Sequence, residues 1–142
     1  ASFIEKERQT HPITTTGDLV AVIDRAVPKE VRARGGHPAK RVFQALRIEV
    51  NDELGILEGA LTAAVDALRI GGRLAVITFH SLEDRIVKNF LRQGDDSADA
   101  RIYGSSASAW RLVTRKPITP SAEEIARNPR ARSAKLRIAE LL

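Results

Sequence analysis

The period of the apolar residues changes at Gly71-Gly72, and that change confines the chain to layered α/β architectures. On the amino side, Phe43, Leu46, Val50, Leu54, Leu57, Leu61, Val65 and Leu68 recur at intervals of three and four, which places them on one face of a helix. Pro38 suits the first turn of that helix. One long helix is the simplest reading. Gly55 and Gly59, each roughly 1 kcal/mol worse than alanine in a helix interior, leave a kink or a split near Asn51-Asp52 open. On the carboxyl side, residues 73–79 are nearly continuously apolar and of strand length, the pattern of a strand buried on both faces in a parallel sheet. Ser81-Leu82-Glu83-Asp84 reads as a capping box, with Ser81 as cap and Asp84 at the third helical position, opening a helix through Ile86, Val87, Phe90 and Leu91. The carboxyl end of a buried strand is where open α/β sheets place their sites.

The flanks are less regular. Thr14-Thr15-Thr16-Gly17-Asp18 precedes Leu19, Val20, Val22, Ile23 and Val27, a short amphipathic helix capped by Thr16 or a neighbour and ended by Pro28. Residues 32–38 carry the glycines and proline of an exposed joint, and a domain seam is expected there. Residues 94–109, rich in Asp, Ser, Ala and Gly, read as a loop. Two terminal strands, near residues 110–114 and 134–139, bracket a short helix and the basic turn Asn128-Pro129-Arg130-Ala131-Arg132-Ser133, and are expected to pair antiparallel.

Charge and composition narrow the partners. The 23 lysines and arginines outnumber 18 acids for a net charge of +5, which favours an anionic partner. Between Arg25 and Arg47, seven basic residues face Glu30 alone, and the block Arg127, Arg130, Arg132, Lys135 and Arg137 contains no acid. With no cysteine, disulfides, thiolate catalysis and thiolate zinc sites are excluded. No apolar run approaches the roughly 20 residues of a membrane helix, and no secretory pattern opens the chain, so a cytoplasmic protein without membrane partners is expected. The absence of methionine and the initial alanine suggest a piece of something longer.

Recognisable catalytic constellations are scarce. His80, Ser81 and Asp84 lie too close in sequence for a hydrolase triad, and no nucleophile elbow exists. His11, His37 and His80 are too scattered for a recognisable metal site. Arg41, Gln44, Arg47 and Asn51, spaced by three, three and four, form a polar stripe on the long helix that either reads RNA or faces solvent. No phosphate-cradling glycine loop is visible.

The run from His37 to Leu54, HPAKRVFQALRIEVNDEL, resembles a signature of the bacterial small-subunit (16S) ribosomal RNA cytosine-N4 methyltransferases of the MraW type. Two further stretches match it in order and spacing: Gly71-Gly72-Arg73-Leu74 through Phe79-His80-Ser81-Leu82-Glu83-Asp84-Arg85, and Asn128-Pro129-Arg130-Ala131-Arg132-Ser133 through Arg137. The resemblance implies an α/β chain: the C-terminal half of a Rossmann-like class I methyltransferase sheet, with the end of an inserted helical domain. Residues 1–36 would close the insert and residues 37–142 belong to the methyltransferase domain. It further implies S-adenosylmethionine-dependent N4-methylation of a decoding-region cytidine in small-subunit ribosomal RNA.

On this resemblance His80 and Ser81 line the target-base side of the pocket as catalytic candidates. His37, Arg41, Gln44, Arg47 and Asn51 hold RNA or brace the insert, and Asn128, Arg130 and Arg132 contact phosphate. The family's glycine-rich cofactor loop and ribose-binding acid have no counterpart in the sequence, so no cofactor residue is assigned and the chain alone is expected to be inactive. The sheet edge left open would then be covered by self-association, as in a homodimer, or by strand exchange. The competing expectation is a basic RNA-binding or ribosome-assembly module without catalysis.

Overall fold

The computed structural model describes residues 1–28, 37–92 and 109–142. The joint expected over residues 32–38 and the loop expected over residues 94–109 lie almost wholly outside them. The chain divides into two compact units, Ala1–Glu53 and Leu54–Leu142.

The first unit is helical: α1 (Ser2–Thr10), α2 (Thr16–Ala26) and α3 (Ala39–Asn51). Thr15 caps α2, its hydroxyl accepting from the Asp18 N–H at 3.1 Å while the Asp18 carboxylate accepts from the Thr15 N–H at 2.9 Å. Leu19, Ile23 and Ala39 form the buried core, with Ile4, Val42 and Phe43 packed on it. α3 ends at Asp52, whose φ of 48° is left-handed, a conformation that aspartate and asparagine adopt more readily than most residues. The apolar stripe of residues 43–68 is therefore two helices, α3 and α4 (Glu53–Ala67), not one. The split left open near Asn51-Asp52 is thus present; apolar periodicity alone does not mark it, because Asp52 lies off the stripe.

The second unit continues from α4 through Gly71-Gly72 into β1 (Arg73–Thr78), α5 (Ser81–Phe90), β2 (Trp110–Leu112), α6 (Ala122–Arg127), a 3-10 turn (Pro129–Ser133) and β3 (Lys135–Leu141). Both glycines are required at the turn. Gly71 has a φ of 78° and donates to the Leu141 carbonyl at 2.8 Å, while a Cβ on Gly72 would lie 2.7 Å from the Arg69 carbonyl oxygen. Gly72→Ala is expected to destabilise the unit by about 1–3 kcal/mol in denaturant unfolding. The control Gly59→Ala, in a helix interior with open space around it, is expected to be stabilising.

The sheet has the order β1-β3-β2 with both pairings antiparallel. Register runs from Arg73↔Glu140 to Thr78↔Lys135 on one side of β3 and from Trp110↔Leu141 to Leu112↔Ala139 on the other. The expected pairing of the two terminal strands is thus present. The parallel, doubly buried setting expected for residues 74–79 is not: among the described residues β1 is an edge strand antiparallel to β3. Leu74 and Val76 pack toward α4 and α5, whereas Ile77 on the opposite face is 58% exposed. An apolar run records that both faces are apolar, not which neighbours cover them.

The core joins Leu61 of α4, Val87 of α5 and Leu91 at its carboxyl cap, Trp110 of β2, and Ala139 and Leu141 of β3. The Phe90 and Trp110 rings meet at 6.0 Å between centroids, tilted by 52°. No helix among the described residues is long and apolar enough to cross a membrane.

Candidate nucleic-acid interface

Sheet register assembles the first surface. Because β3 runs antiparallel to β1, its first residue, Lys135, sits opposite Thr78, the last residue of β1. Phe79-His80-Ser81, which follow β1, and the basic turn that precedes β3 therefore flank the same end of the sheet. Arg130 and Arg132 are exposed on that turn. Asn128 shapes it, its Oδ1 accepting from the Arg130 N–H at 3.3 Å. An exposed aromatic, a hydroxyl and two arginines at one sheet end have the composition of a phosphate- and base-binding rim.

The β1–α5 junction is fixed by two adjacent carboxylates. Glu83 Oε2 accepts from the Phe79 N–H at 2.7 Å and from the His80 N–H at 3.1 Å. His80 Nδ1 in turn accepts from the Glu83 N–H at 3.3 Å. The cap of α5 is therefore His80, with Glu83 at the third position, one residue earlier than the Ser81 and Asp84 assignment read from the sequence. With Nδ1 accepting, the ring proton resides on Nε2, which lies 3.2 Å from Glu83 Oε1 in ion-pair range but without hydrogen-bond geometry. Only 12% of the His80 side chain is exposed, so both ring nitrogens face α5, whereas Ser81 is open to solvent.

Asp84 is unavailable as a capping acid because β3 claims it. Its carboxylate accepts from Arg137 Nε at 2.8 Å, from Arg137 Nη2 at 3.2 Å and from Lys135 Nζ at 3.2 Å. The Arg137 guanidinium holds the Asp84 carboxyl below the ordinary carboxylate range, with Lys135 adding to the effect and partial burial opposing it. Both Asp84 and Arg137 side chains are 13% exposed.

The second surface lies within the helical unit. An open groove of about 540 Å³ has Val20, Ala39 and Phe43 as its apolar floor and His37, Lys40, Gln44 and Arg47 around it. That volume is in the range of small-molecule sites. His37 also opens α3, its Nδ1 accepting from the Ala39 N–H at 3.2 Å. Of the polar stripe, Gln44 and Arg47 reach the groove, whereas Arg41 and Asn51 are not among its lining residues. Arg47 forms a bidentate pair with Glu53 at 2.7 and 3.0 Å, and Asn51 Nδ2 donates to the same carboxylate at 3.3 Å, so both tie the chain across the Asp52 break.

Sequence reasoning counted Lys40 only within the basic stretch from Arg25 to Arg47 and gave Phe43, Phe79 and Glu83 no site role. The signal for the first two was an aromatic interleaved with cations at helical spacing, since Phe43 lies three residues after Lys40 and four before Arg47. Phe79 was hidden by its place at the end of an apolar run.

The chain matches the MraW methylase family over residues 1–142. It is 55% identical over 145 residues to a protein of Heliobacterium mobile named ribosomal RNA small subunit methyltransferase H, covering 99% of this chain and 46% of that protein. Proteins of the same name from Clostridioides difficile and Lactiplantibacillus plantarum are 52% and 51% identical, covering 99% and 100% of this chain and 47% and 46% of their own lengths. The chain therefore spans about half the length of the curated relatives it matches.

Proposed function

The chain belongs to the MraW methylase family, and from that membership we propose that the full-length protein transfers a methyl group from S-adenosylmethionine to the N4 amine of a decoding-region cytidine in small-subunit ribosomal RNA. Identity of 51–55% to proteins named small-subunit ribosomal RNA methyltransferases, over essentially the whole chain, carries this reading. The basic sheet end and the aromatic groove of the helical unit support an RNA substrate. In this reading β1, β3 and β2 belong to the C-terminal half of a Rossmann-like sheet, residues 1–36 close an inserted helical domain, and residues 37–142 belong to the methyltransferase domain, whose first helix, α3, packs on the core of the helical unit through Ala39, Val42 and Phe43. Strands from the rest of the protein would pair with the free edge of β1; pairing between two copies would instead give a homodimer, read as a doubled mass in sedimentation. A cytoplasmic location accords with a ribosomal substrate.

The described residues do not fit the methyl donor. Gly71-Gly72 precedes β1 instead of following a strand, and Glu83, the carboxylate nearest the end of β1, is engaged by the Phe79 and His80 amides. What this chain contributes is recognition. The cytosine amine is a weak nucleophile whose lone pair is delocalised into the ring, so the reaction depends on positioning and on exclusion of water. An unpaired base must be held on its face and edge to achieve that. Arg130 and Arg132 would neutralise phosphates, Ser81 offers an exposed hydroxyl to the base, and His80 keeps the Ser81 turn in place. Asn128 shapes the basic turn; His37, Gln44 and Arg47, with Arg41 and Asn51 on the same helix, would hold the RNA at the helical unit.

Methyl-labelled donor, full-length protein and small-subunit ribosomal RNA should yield label as N4-methylcytidine on nuclease digestion and mass spectrometry; label at another atom, or none, overturns the reading. The chain alone should bind no labelled donor saturably. Arg130→Ala and Arg132→Ala should each weaken RNA binding and flatten its logarithmic salt dependence by roughly one unit. The poor fit to the donor favours a second reading, an RNA-binding or assembly module without chemistry, which would keep the salt-dependent binding and transfer no methyl group in any form of the protein.

A further inference from the structure

Phe79 is 55% exposed, although it directly follows Thr78, which is 2% exposed. Its backbone has little freedom to turn the ring inward, because its N–H is donated to Glu83 and the next residue is the cap of α5. The neighbouring Asp84 is tied across to Arg137 and Lys135 of β3. Two consecutive carboxylates thus pull in different directions, one onto the end of β1 and the other onto β3, and hold Phe79 on a doubly anchored junction. Phe3 is as exposed at 55%, but it lies on α1, whose amino end has no side-chain cap. The last ladder pair, Thr78↔Lys135, puts Phe79 just past the last paired residue of β1, at the sheet end where Arg130 and Arg132 stand exposed.

A rigidly presented ring beside cations suits one class of ligand. Unpaired bases stack on aromatic side chains while their phosphates are neutralised by neighbouring arginines. We propose that the Phe79 ring is the platform on which an unpaired base of the substrate RNA stacks, with Arg130 and Arg132 taking the flanking phosphates. The proposal rests on the RNA reading above and adds to it a contact that neither His80 nor Ser81 provides.

The test uses the full-length protein and its ribosomal RNA substrate at fixed salt. Phe79→Leu should raise the Kd for RNA by roughly ten- to a hundredfold, the equivalent of losing one base stack. Phe79→Trp should bind as the unsubstituted protein does and show saturable quenching of the new indole on adding RNA. An unchanged Kd for a folded Phe79→Leu protein overturns the proposal. So does emission from the introduced indole that RNA leaves unmoved, which would mean that the ring is covered by the rest of the polypeptide. Methyl transfer by the unsubstituted protein separates the two levels. If transfer is present and the Phe79 variants behave normally, only the stacking assignment fails; if transfer is absent, the methyltransferase reading fails as well.

Discussion

Asp84→Asn should lower the stability of the second unit by about 2–3 kcal/mol at neutral pH, measured by urea unfolding. The substitution keeps the shape of the side chain but removes the charge that Arg137 and Lys135 neutralise, leaving an arginine that is only 13% exposed without its counter-ion. Breaking a buried ion pair from one side costs more than the pair contributes net, because the remaining charge stays desolvated. The residual exposure of Asp84 and the 39% exposure of Lys135 place the figure below the 3–5 kcal/mol seen for fully buried pairs.

The same ion pair sets an acid limit. Asp84 titrates lower in the folded chain than in the unfolded one, where its ordinary value is about 3.8. Below that value the unfolded state therefore binds more protons. The contribution of Asp84 is fully present above the unfolded value and is lost as pH falls through the lowered folded value. Stability of the unsubstituted chain should fall with acid across that window, and Asp84→Asn should flatten that part of the curve. An equal slope for both proteins would remove Asp84 from the account of acid unfolding.

Trp110→Ala carries the larger expected loss, about 3–5 kcal/mol, enough to consume much of the stability of a small domain. The indole is 6% exposed, lies against the Phe90 ring and belongs to the cluster that joins α4, α5 and the sheet. The three-residue β2 places it there through the Trp110↔Leu141 and Leu112↔Ala139 pairs. Thermal unfolding followed by far-ultraviolet circular dichroism should show a large fall in midpoint. A loss under about 1 kcal/mol would mean that the cavity collapses without penalty, contrary to the usual behaviour of core deletions.

Legibility differed by element and for a physical reason in each case. The apolar period and the glycines at 71–72 marked the switch from helix to strand, and the expected close pairing of the terminal strands is present as β2 and β3. The Asp52 break was open in the sequence, because a single left-handed residue leaves the apolar stripe intact on both sides. At the start of α5 the sequence reading put Ser81 and Asp84 in the capping box, whereas the structure has His80 and Glu83 there. The choice between them depended on Arg137, which draws Asp84 away and leaves Glu83 to cap.

Local chemistry along the chain was enough to determine the element types, the basic character of the surface and the family membership, because propensity, period, charge and motif order are properties of neighbouring residues. Register was not, because it depends on which distant segments lie side by side. Only the antiparallel pairing of β1 with β3 places the Phe79-His80-Ser81 junction and the arginines of the 3-10 turn at one sheet end. Only the salt bridge from Asp84 to β3 decides that His80 turns inward as a cap while Phe79 stays in solvent.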